Sequence, residues 1–265
     1  APRYSLNAIC SSSGEIRTAF PANSAVTAPR SDRRSYSVRG GFTSKFGIAP
    51  GDAERARELV ESAGARVEGL HAHLGSDISS PEVWAETGVF LAETAELFPD
   101  AEILDVGGGL GVSERAGQPP LDLETAGAKL ESLRELHPGF ELWLEPGRFL
   151  VADAGVLLAE VTQLKQKQDI QFVGVDTGMN SLVRPALYGA HHDIENLSRL
   201  GEAPRLDAEI VGPICESGDV LGHDRRLPAT REGDVLLVAQ TGAYGRVMSS
   251  EYNRRSPGEE VVLGE

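Results

Sequence analysis

The sequence has 265 residues, of which 40% are hydrophobic and 25% are charged, and its formal net charge at pH 7 is −15. This composition is typical of a globular protein, and the length suits one large domain or two of ordinary size. A strongly acidic surface repels nucleic-acid phosphates and anionic lipids, so we expect neither a nucleic acid nor a membrane as a partner. An anionic ligand would need local arginines or backbone N–H groups to hold it.

Cysteine usage and the first residues of the chain indicate a cellular compartment. Cys10 and Cys215 are far apart in the sequence and show no metal-ligand spacing, so we expect no disulfide framework. Residues 1–17 contain no apolar core of the kind found in signal peptides. No apolar run approaches the ~18 residues that a membrane-spanning helix needs. We therefore expect a cytoplasmic protein.

The order of the predicted elements favours an α/β architecture for the first part of the chain. Residues 1–34 predict only a short strand and loops. Strands and helices then alternate, which indicates parallel strands joined by right-handed crossovers. Ser80 and Pro81 predict the start of one helix, as its cap and its first turn. In chain order, the predicted elements are strand 35–39, helix 50–65, strand 67–74, helix 80–98, strand 101–106, helix 122–136 and strand 140–147.

The pattern changes after residue 148, where strand-like segments are separated by turns instead of long helices. We therefore predict an α/β + β protein. A partial βα barrel of the TIM type occupies residues 1–148, and a mainly antiparallel β-domain occupies residues 149–265. The strand-like segments of this second domain are 155–166, 169–178, 207–214 and 234–242.

Three predicted barrel strands end in the motifs HAHLGS (71–76), GGGLG (107–111) and EPGR (145–148). Functional residues of βα barrels lie at the C-terminal ends of the strands, so we expect a site here. The three successive glycines have two interpretations. They hold a phosphate with bare N–H groups, or they form a tight turn between a strand and a helix.

His71 and His73 are two residues apart on a predicted strand and therefore share a face. This spacing would suit a pair of metal ligands, but no nearby cysteine or carboxylate motif completes such a site, so we expect no metal. A flat imidazole stacked on an aromatic ligand is one interpretation, and a half-buried histidine with ordinary partners is the other. Ser76 is able to donate to a phosphate or to cap a turn.

Charged residues follow two further strand-like segments. Glu145 is placed to pair with a ring nitrogen and keep it protonated, although EPG is also a common surface turn. Arg148 and Arg184 are candidates for binding a carboxylate, because a guanidinium binds both of its oxygens. The alternative for each arginine is a surface ion pair. We expect His191 and His192, in the motif AHHD, to be loop or surface residues.

The segment GPICESGDVL (212–221) places Cys215 beside two acids, Glu216 and Asp219. Negative neighbours raise the pKa of a thiol, so Cys215 is not expected to be an activated nucleophile. A positioned acid, or a contact to a cationic group of a substrate, fits this segment better. Further along the chain, Tyr244 lies between glycines, which suggests a hydroxyl directed at a ligand.

Taken together and in this order, the motifs resemble the fold-type III pyridoxal-phosphate-dependent decarboxylases, whose fold is that of alanine racemase and ornithine decarboxylase. The pair CESGD and RPALYGA favours the diaminopimelate branch of that family over the ornithine and arginine branches. The matching stretches are SKFGI (44–48), HAHLGSDI (71–78), LDVGGGLG (104–111), EPGRFLVADAG (145–155), DTGMNSLVRPALYGAHH (176–192), GPICESGDVLG (212–222) and TGAYGRVMSSEYN (241–253).

The resemblance implies pyridoxal 5′-phosphate as the cofactor and the decarboxylation of meso-diaminopimelate to lysine as the reaction. His73 would stack on the pyridine ring and take part in catalysis. Glu145 would pair with the ring nitrogen, because a protonated ring is a better electron sink. The residues implied to surround the cofactor are His73, Ser76, Gly107, Gly108, Gly109, Glu145, Gly147, Arg148 and Tyr244, with the phosphate at the glycines.

The resemblance also implies the substrate contacts. Cys215 would be the proton donor near the reacting carbon, and Glu216 would face the distal ammonium group of the substrate. In the family this Cys-Glu-Ser segment reaches into the site of a partner subunit, which implies a homodimer with shared active sites. The residues implied to bind the substrate are Arg148, Arg184, Tyr188, Glu216 and Tyr244, and both arginines and Tyr188 would hold its distal carboxylate.

One family residue has no counterpart, namely the lysine that carries the cofactor in a Lys-Ala-Asn stretch. TAFPANS (18–24) is similar to that stretch, but Pro21 stands where the lysine belongs. Three explanations stay open. The chain is one piece of a longer or split protein whose other part supplies the lysine, it is a non-catalytic homologue with a binding or regulatory role, or residues present in the molecule are missing from this chain. A decarboxylase of the same fold that acts on another amino acid is a separate alternative for the function. The lysines of the chain are Lys45, Lys129, Lys165 and Lys167.

Overall fold

A computed structural model describes residues 7–11, 46–115 and 117–264, with residues 7–11 described by their backbone alone. The chain divides into two compact units. The first unit comprises Ala1–Val112 and Pro119–Phe149, and the second comprises Ser113–Gln118 and Leu150–Glu265. The strand predicted at 35–39 lies outside the described residues.

The first unit contains a four-stranded sheet and three helices of ten or more residues among its described residues. Its strands are β1 (Asn7–Ser11), β2 (Arg66–His71), β3 (Ile103–Gly108) and β4 (Glu141–Glu145), and its helices are α1 (Ala53–Ser62), α2 (Val83–Ala95) and α3 (Leu123–Leu136). The strand order is β1-β2-β3-β4. The pairs β2–β3 and β3–β4 are parallel, as the alternation of strands and helices predicts, whereas β1 is antiparallel to β2.

The core of the first unit lies between the sheet and its helices. Leu70 of β2 and Leu104 of β3 are fully buried, and so is Leu91 of α2. Helices α2 and α3 approach closely because Gly88 has no side chain. A Cβ atom at this position would overlap the Leu133 side chain of α3. This close packing holds the helical layer against one face of the sheet.

Two helix starts illustrate how local sequence determines the elements. Asp122 caps α3, where its carboxylate accepts a hydrogen bond from the Thr125 amide at 3.0 Å. Ser80 does not cap α2, because the helix begins at Val83 and the Ser80 hydroxyl donates to the Glu82 carboxylate at 2.7 Å. The prediction of Ser80 as the cap was therefore wrong.

The second unit contains a six-stranded sheet with the order β7-β10-β5-β6-β8-β9. Its pairs are antiparallel except for β6–β8, which is parallel. The interior side chains of these strands, including those of Val173, Ile210 and Leu236, are fully buried and form a separate core. The strands are β5 (Leu157–Lys167), β6 (Ile170–Val175), β7 (Ile194–Asn196), β8 (Leu206–Val211), β9 (Val220–Leu227) and β10 (Val235–Val238).

Two short helices accompany these sheets. Helix α4 (Gly147–Val151) directly follows β4, and helix α5 (Arg184–Tyr188) precedes β7. In its described residues the chain is a partial βα barrel followed by a mainly antiparallel β-domain, which confirms the predicted fold class. None of the helices in the described residues combines the length and the apolar character needed to cross a bilayer.

Candidate active site

The site begins at the edge of the first sheet where three parallel strands end. β2 ends at His71, β3 at Gly108 and β4 at Glu145. The loop after β2 and the loop after β3 are joined by backbone hydrogen bonds, in which the Ile78 amide donates to the Gly109 carbonyl at 2.8 Å and the Gly111 amide donates to the Ile78 carbonyl at 2.9 Å. These loops and the start of α4 form the feature that we call the rim.

The glycines at the end of β3 are required by the backbone around them. A Cβ atom on Gly107 would lie 2.8 Å from the Ala72 carbonyl oxygen, and one on Gly109 would overlap the Gly75 carbonyl. Both residues have positive φ angles, +73° and +80°. The close approach of neighbouring segments therefore explains why these positions have no side chains. A bound ligand is not needed to explain the glycines.

Two of the three glycine amides have acceptors within the protein. The Gly107 amide donates to Asp105 Oδ1 at 2.9 Å, and the Gly108 amide donates to His73 Nδ1 at 3.1 Å. This differs from the interpretation in which all three N–H groups are bare. A phosphate at this rim would therefore be met by Gly109 and the exposed Ser76 rather than by the whole triplet.

Two buried residues support the glycines, and sequence analysis did not single them out. Trp84 of α2 donates from its indole Nε1 to the Gly108 carbonyl at 2.9 Å. Asp105 is 5% exposed, and its burial raises the pKa of its carboxyl above the ordinary value. The spacing Asp105-x-Gly107 was a usable signal, because an aspartate often accepts from an amide two residues on.

His71 and His73 converge on the carboxylate of Glu145. His71 Nε2 donates to Glu145 Oε2 at 3.1 Å, and His73 Nδ1 lies 3.9 Å from the same oxygen. The His71 side chain is 3% exposed, whereas that of Glu145 is 50% exposed. The hydrogen bond from His71 lowers the pKa of Glu145 below its ordinary value, so this half-exposed carboxylate is anionic at neutral pH.

His73 is neutral in this arrangement. Burial is the main cause that lowers its pKa, and its Nδ1 accepts a hydrogen bond from the Gly108 amide, which requires a lone pair on that nitrogen. One ring nitrogen of each histidine lies within 4.8 Å of a Glu145 oxygen, so the carboxylate of β4 and the two histidines form a cluster with the ligand atoms of a metal site. Because the Gly108 amide uses the Nδ1 lone pair, we do not interpret this cluster as a metal centre.

Arg148, on α4, completes the rim. Its Nη1 donates to the carboxylate of Asp77, and its side chain is only 11% exposed. Asp77 has a left-handed backbone conformation, with φ of 56°, in the loop after β2. The rim thus brings together the candidate residues His73, Ser76, Gly107, Gly108, Gly109, Glu145, Gly147 and Arg148.

The other candidate residues lie in the second unit, where Arg184 is at the start of α5 and is 6% exposed. Arg184 Nη1 donates to His192 Nε2 at 3.0 Å, and Arg184 Nη2 donates to Glu114 Oε1 at 3.3 Å. His192 Nδ1 in turn donates to the Ala239 carbonyl at 2.8 Å. His192 lies in the loop between α5 and β7, as one of the two predicted alternatives has it, but it is fully buried and not at the surface.

The Cys-Glu-Ser segment is organised by Asp219. The buried Asp219 carboxylate accepts from the Ile214 amide at 2.7 Å and from the Met179 amide at 2.6 Å, which fixes the turn that carries Cys215 and Glu216. Burial raises the pKa of Asp219. Cys215 and Glu216 are exposed, and Glu216 accepts from the Tyr252 hydroxyl at 2.9 Å.

Two candidate tyrosines have exposed side chains in the second unit. Tyr188, the last residue of α5, is 49% exposed, and Tyr244 is 48% exposed with a φ of 60°. A non-glycine residue in the left-handed region is strained and is often found at functional sites. The second unit therefore presents Cys215, Glu216, Tyr188 and Tyr244 to solvent and keeps Arg184 inside.

A carboxylate and two histidines lie at the C-terminal ends of strands in a partial βα barrel, which is where βα-barrel enzymes have their active sites. Residues 10–242 match the family described as "Pyridoxal-dependent decarboxylase, C-terminal sheet domain". The chain therefore belongs to the pyridoxal-dependent decarboxylases, a family that uses pyridoxal 5′-phosphate.

Diaminopimelate decarboxylases are among its most similar relatives. The Pseudomonas aeruginosa enzyme is 44% identical over 229 residues, which are 83% of this chain and 53% of the relative. The Methanothermobacter thermautotrophicus enzyme is 36% identical over 261 residues, which are 94% of this chain and 60% of the relative. The chain thus spans little more than half the length of the curated relatives that it matches.

Solved structures give the same relationship. The structure of a diaminopimelate decarboxylase from Helicobacter pylori complexed with L-lysine is 32% identical, with a TM-score of 0.70, and the match covers 80% of this chain and 53% of that one. A lysine/ornithine decarboxylase from Vibrio vulnificus, complexed with cadaverine, is 25% identical, with a TM-score of 0.72 and coverage of 82% and 59%.

Proposed function

We propose that this chain forms the larger part of a diaminopimelate decarboxylase, which converts meso-diaminopimelate to lysine with pyridoxal 5′-phosphate. Relatives of 36% to 44% identity that bear this name support the substrate. The observation that carries the proposal is the anionic, half-exposed Glu145 beside His71 and His73 at the ends of the parallel strands. A cytoplasmic location stays a prediction.

The residues of the rim fit this cofactor. Pyridoxal phosphate supplies an electron sink for the bond that is broken in decarboxylation. Glu145, which is anionic, would hold a proton on the ring nitrogen. His73 is neutral and flat, so it suits a stacking contact with an aromatic ring. Gly109, Ser76 and the hydroxyl of Tyr244 would bind the phosphate.

The second unit would supply the substrate contacts. Arg184 is oriented by His192 and is paired with Glu114, so a substrate carboxylate would compete with Glu114 for the guanidinium. Tyr188 and Arg148 would complete the binding of the distal carboxylate, and Glu216 would bind the distal ammonium group. Cys215, which is exposed on the turn held by Asp219, would donate a proton to the reacting carbon.

A homodimer with shared active sites is part of this proposal. The exposed Cys215 and Glu216 suit a segment that reaches into the site of another subunit. Neither residue is covered by other described residues, and the Glu216 carboxylate is held in place by the Tyr252 hydroxyl.

A second candidate function is a non-catalytic homologue, which the positions of the lysines favour. Among the described lysines, Lys129 lies on α3 and pairs with Glu82 at 3.6 Å, and Lys165 and Lys167 are exposed on β5. None of these three belongs to the rim, and Lys45 lies outside the described residues. Catalysis would require a lysine from a second chain or from a further segment.

Borohydride reduction followed by mass spectrometry tests the choice. The natural polypeptide that contains this chain is expressed, mixed with pyridoxal phosphate, reduced and digested. A pyridoxyl-lysine peptide together with carbon dioxide release from meso-diaminopimelate is expected. Phosphate-dependent binding of the cofactor without a lysine adduct would favour the non-catalytic homologue instead. Release from a different amino acid alone would favour another decarboxylase of the same fold.

The same preparation tests the substrate contacts through Arg184. The variant Arg184→Lys is expected to weaken meso-diaminopimelate binding at least tenfold, because a lysine cannot bind a carboxylate with two parallel hydrogen bonds. Its affinity for pyridoxine 5′-phosphate should change little. Arg226→Ala is the matched control, because Arg226 is 74% exposed in the same unit. Equal losses for both ligands would contradict the assigned role of Arg184.

A further inference from the structure

His71 is a buried polar residue to which the proposed function gives no role. It is the last residue of β2, its side chain is 3% exposed, and its Nε2 donates to Glu145 Oε2 at 3.1 Å. Burying an imidazole costs free energy unless the ring nitrogens have partners. The Glu145 carboxylate is such a partner, and it comes from β4, two strands away in the sheet.

We propose that His71 is the positioning residue of Glu145, and that its Nε2–H holds one carboxylate oxygen so that the other oxygen meets the ring nitrogen of the cofactor. This inference rests on the proposed function. A carboxylate has two oxygens and about four acceptor sites, so one hydrogen bond from His71 leaves the second oxygen for a ligand. Because His71 is buried at the end of a sheet strand, its hydrogen bond fixes the orientation of the Glu145 side chain, which is half exposed.

His71 and His73 interact differently with Glu145. His73 uses its Nδ1 to accept from the Gly108 amide, so that nitrogen cannot donate to Glu145. His71 is therefore the histidine that donates to the carboxylate. Asp105, on β3, is a second acid near this cluster, and the charge of Glu145 raises the pKa of the Asp105 carboxyl. The hydrogen bond from His71 favours ionisation of Glu145 and so counteracts the effect of partial burial, which opposes it.

A titration of the Glu145 carboxyl in the ligand-free protein tests the contact. Proteins labelled with ¹³C on glutamate side chains are titrated by NMR, and Glu145→Gln assigns the signal. In the wild type the pKa of Glu145 is expected to lie below the ordinary glutamate value. His71→Phe and His71→Met, which lack a donor, should raise it towards that value. His71→Gln, which keeps an N–H donor, should restore part of the shift. His137→Phe is the control, at a half-buried histidine directly after α3.

A second measurement follows the ring nitrogen of a bound ligand. Pyridoxine 5′-phosphate labelled with ¹⁵N is added to each variant, and its chemical shift is recorded against pH. Protonation of the ring should be lost at lower pH in His71→Phe and His71→Met than in the wild type. Their affinity for the ligand should fall about tenfold, as expected when a hydrogen bond to a charged group is lost. His71→Gln should recover most of both effects.

The outcomes separate the inference from the proposed function. If the wild type binds pyridoxine phosphate but the donor-free variants leave the Glu145 titration and the ring-nitrogen signal unchanged, the inference is overturned and the proposed function stands. If His71→Phe and His71→Gln have equal effects, packing explains them and the inference is overturned. If the wild type does not bind pyridoxine phosphate at all, the proposed function fails and the inference fails with it.

Discussion

Asp234 is a buried carboxylate that accepts several hydrogen bonds. Arg199 donates to it from Nε at 2.6 Å and from Nη2 at 3.1 Å, and Asn196 and the Arg231 amide donate to Oδ2 at 3.0 and 2.8 Å. These donors, chiefly Arg199, lower the pKa of Asp234 from 3.8 to about 2. The group ties the turn before β10 to the segment that follows β7.

This shift predicts how stability depends on pH. Since the pKa of Asp234 is lower in the folded than in the unfolded state, its contribution is present above about pH 4 and is lost as the pH falls towards 2. Asp234→Asn should lower the free energy of unfolding by about 1–2 kcal/mol at pH 7 and by much less near pH 2. Urea unfolding at both pH values measures this difference.

Asp207→Asn is the matched control, because the Asp207 side chain is 70% exposed and lies 3.5 Å from an exposed Arg226. A surface pair of this kind contributes little, so this variant should unfold like the wild type. A loss for Asp234→Asn that is the same at both pH values would show that the ion pair is not its cause.

At this scale the sequence indicated candidate side chains at the ends of strands but not the buried networks. Glu145 and His73 were singled out because they lie at the ends of apolar strands, and their roles stay predictions. The burial of His192 could not be predicted, because its partner Ala239 is 47 residues away in the sequence. Asp219 was grouped with its acidic neighbour Glu216, although it is the buried acceptor that shapes the turn. Long-range hydrogen bonds leave no periodic signal in a sequence.

The rim is an element-scale feature, since it depends on the close approach of two loops. Gly109 has a φ of +80°, and the position of its absent Cβ overlaps the Gly75 carbonyl. Gly64 has a similar φ of +72°, but open space surrounds it. The two glycines therefore separate the cost of backbone conformation from the cost of overlap between the loops.

Replacing each glycine by alanine should show this difference. Gly64→Ala should lower the free energy of unfolding by about 1 kcal/mol, the cost of a left-handed non-glycine residue. Gly109→Ala should cost about 3 kcal/mol, because overlap with the Gly75 carbonyl adds to that strain. Urea unfolding gives both values, and binding of inorganic phosphate reports on the rim. If both variants lost the same free energy of unfolding, the two loops would move apart around the new Cβ atom without loss of stability, which would contradict this prediction.

The elements themselves were largely predictable, and their ends were less so. The predicted strands 67–74, 101–106 and 140–147 correspond to β2, β3 and β4, because apolar runs bounded by turns are distinctive. The start of α2 was placed too early, since Pro81 and Ser80 are as compatible with a turn as with a helix. The antiparallel pairing of β1 could not be foreseen, because pairing direction depends on the whole fold.

At the scale of the whole molecule, β4 is an edge strand of the first sheet with partly exposed apolar side chains. Within the described residues it pairs with β3 alone, and β1 at the other edge pairs with β2 alone. Leu144 of β4 is 42% exposed, and Leu142 and Trp143 are only partly buried. Strands of βα barrels are normally covered on both faces and paired on both sides, and open edges favour association.

We therefore expect the polypeptide of these 265 residues to associate with itself or with a partner that supplies further strands. Size-exclusion chromatography with light scattering should show more than one chain per particle at micromolar concentration. Leu144→Lys should weaken association, because a charge at a strand edge opposes pairing. Leu136→Lys, at a 73% exposed position at the end of α3, should not. A monomer that unfolds cooperatively would contradict this expectation.

The loop after β3 has a practical consequence for anyone who divides this protein. Ser113–Gln118 belongs to the second unit although residues of the first unit flank it on both sides. Glu114, in this insertion, is the carboxylate partner of Arg184. A fragment that begins near residue 149 would therefore contain the buried Arg184 guanidinium but not Glu114, its carboxylate partner. A single cut in the chain thus cannot separate the two units intact.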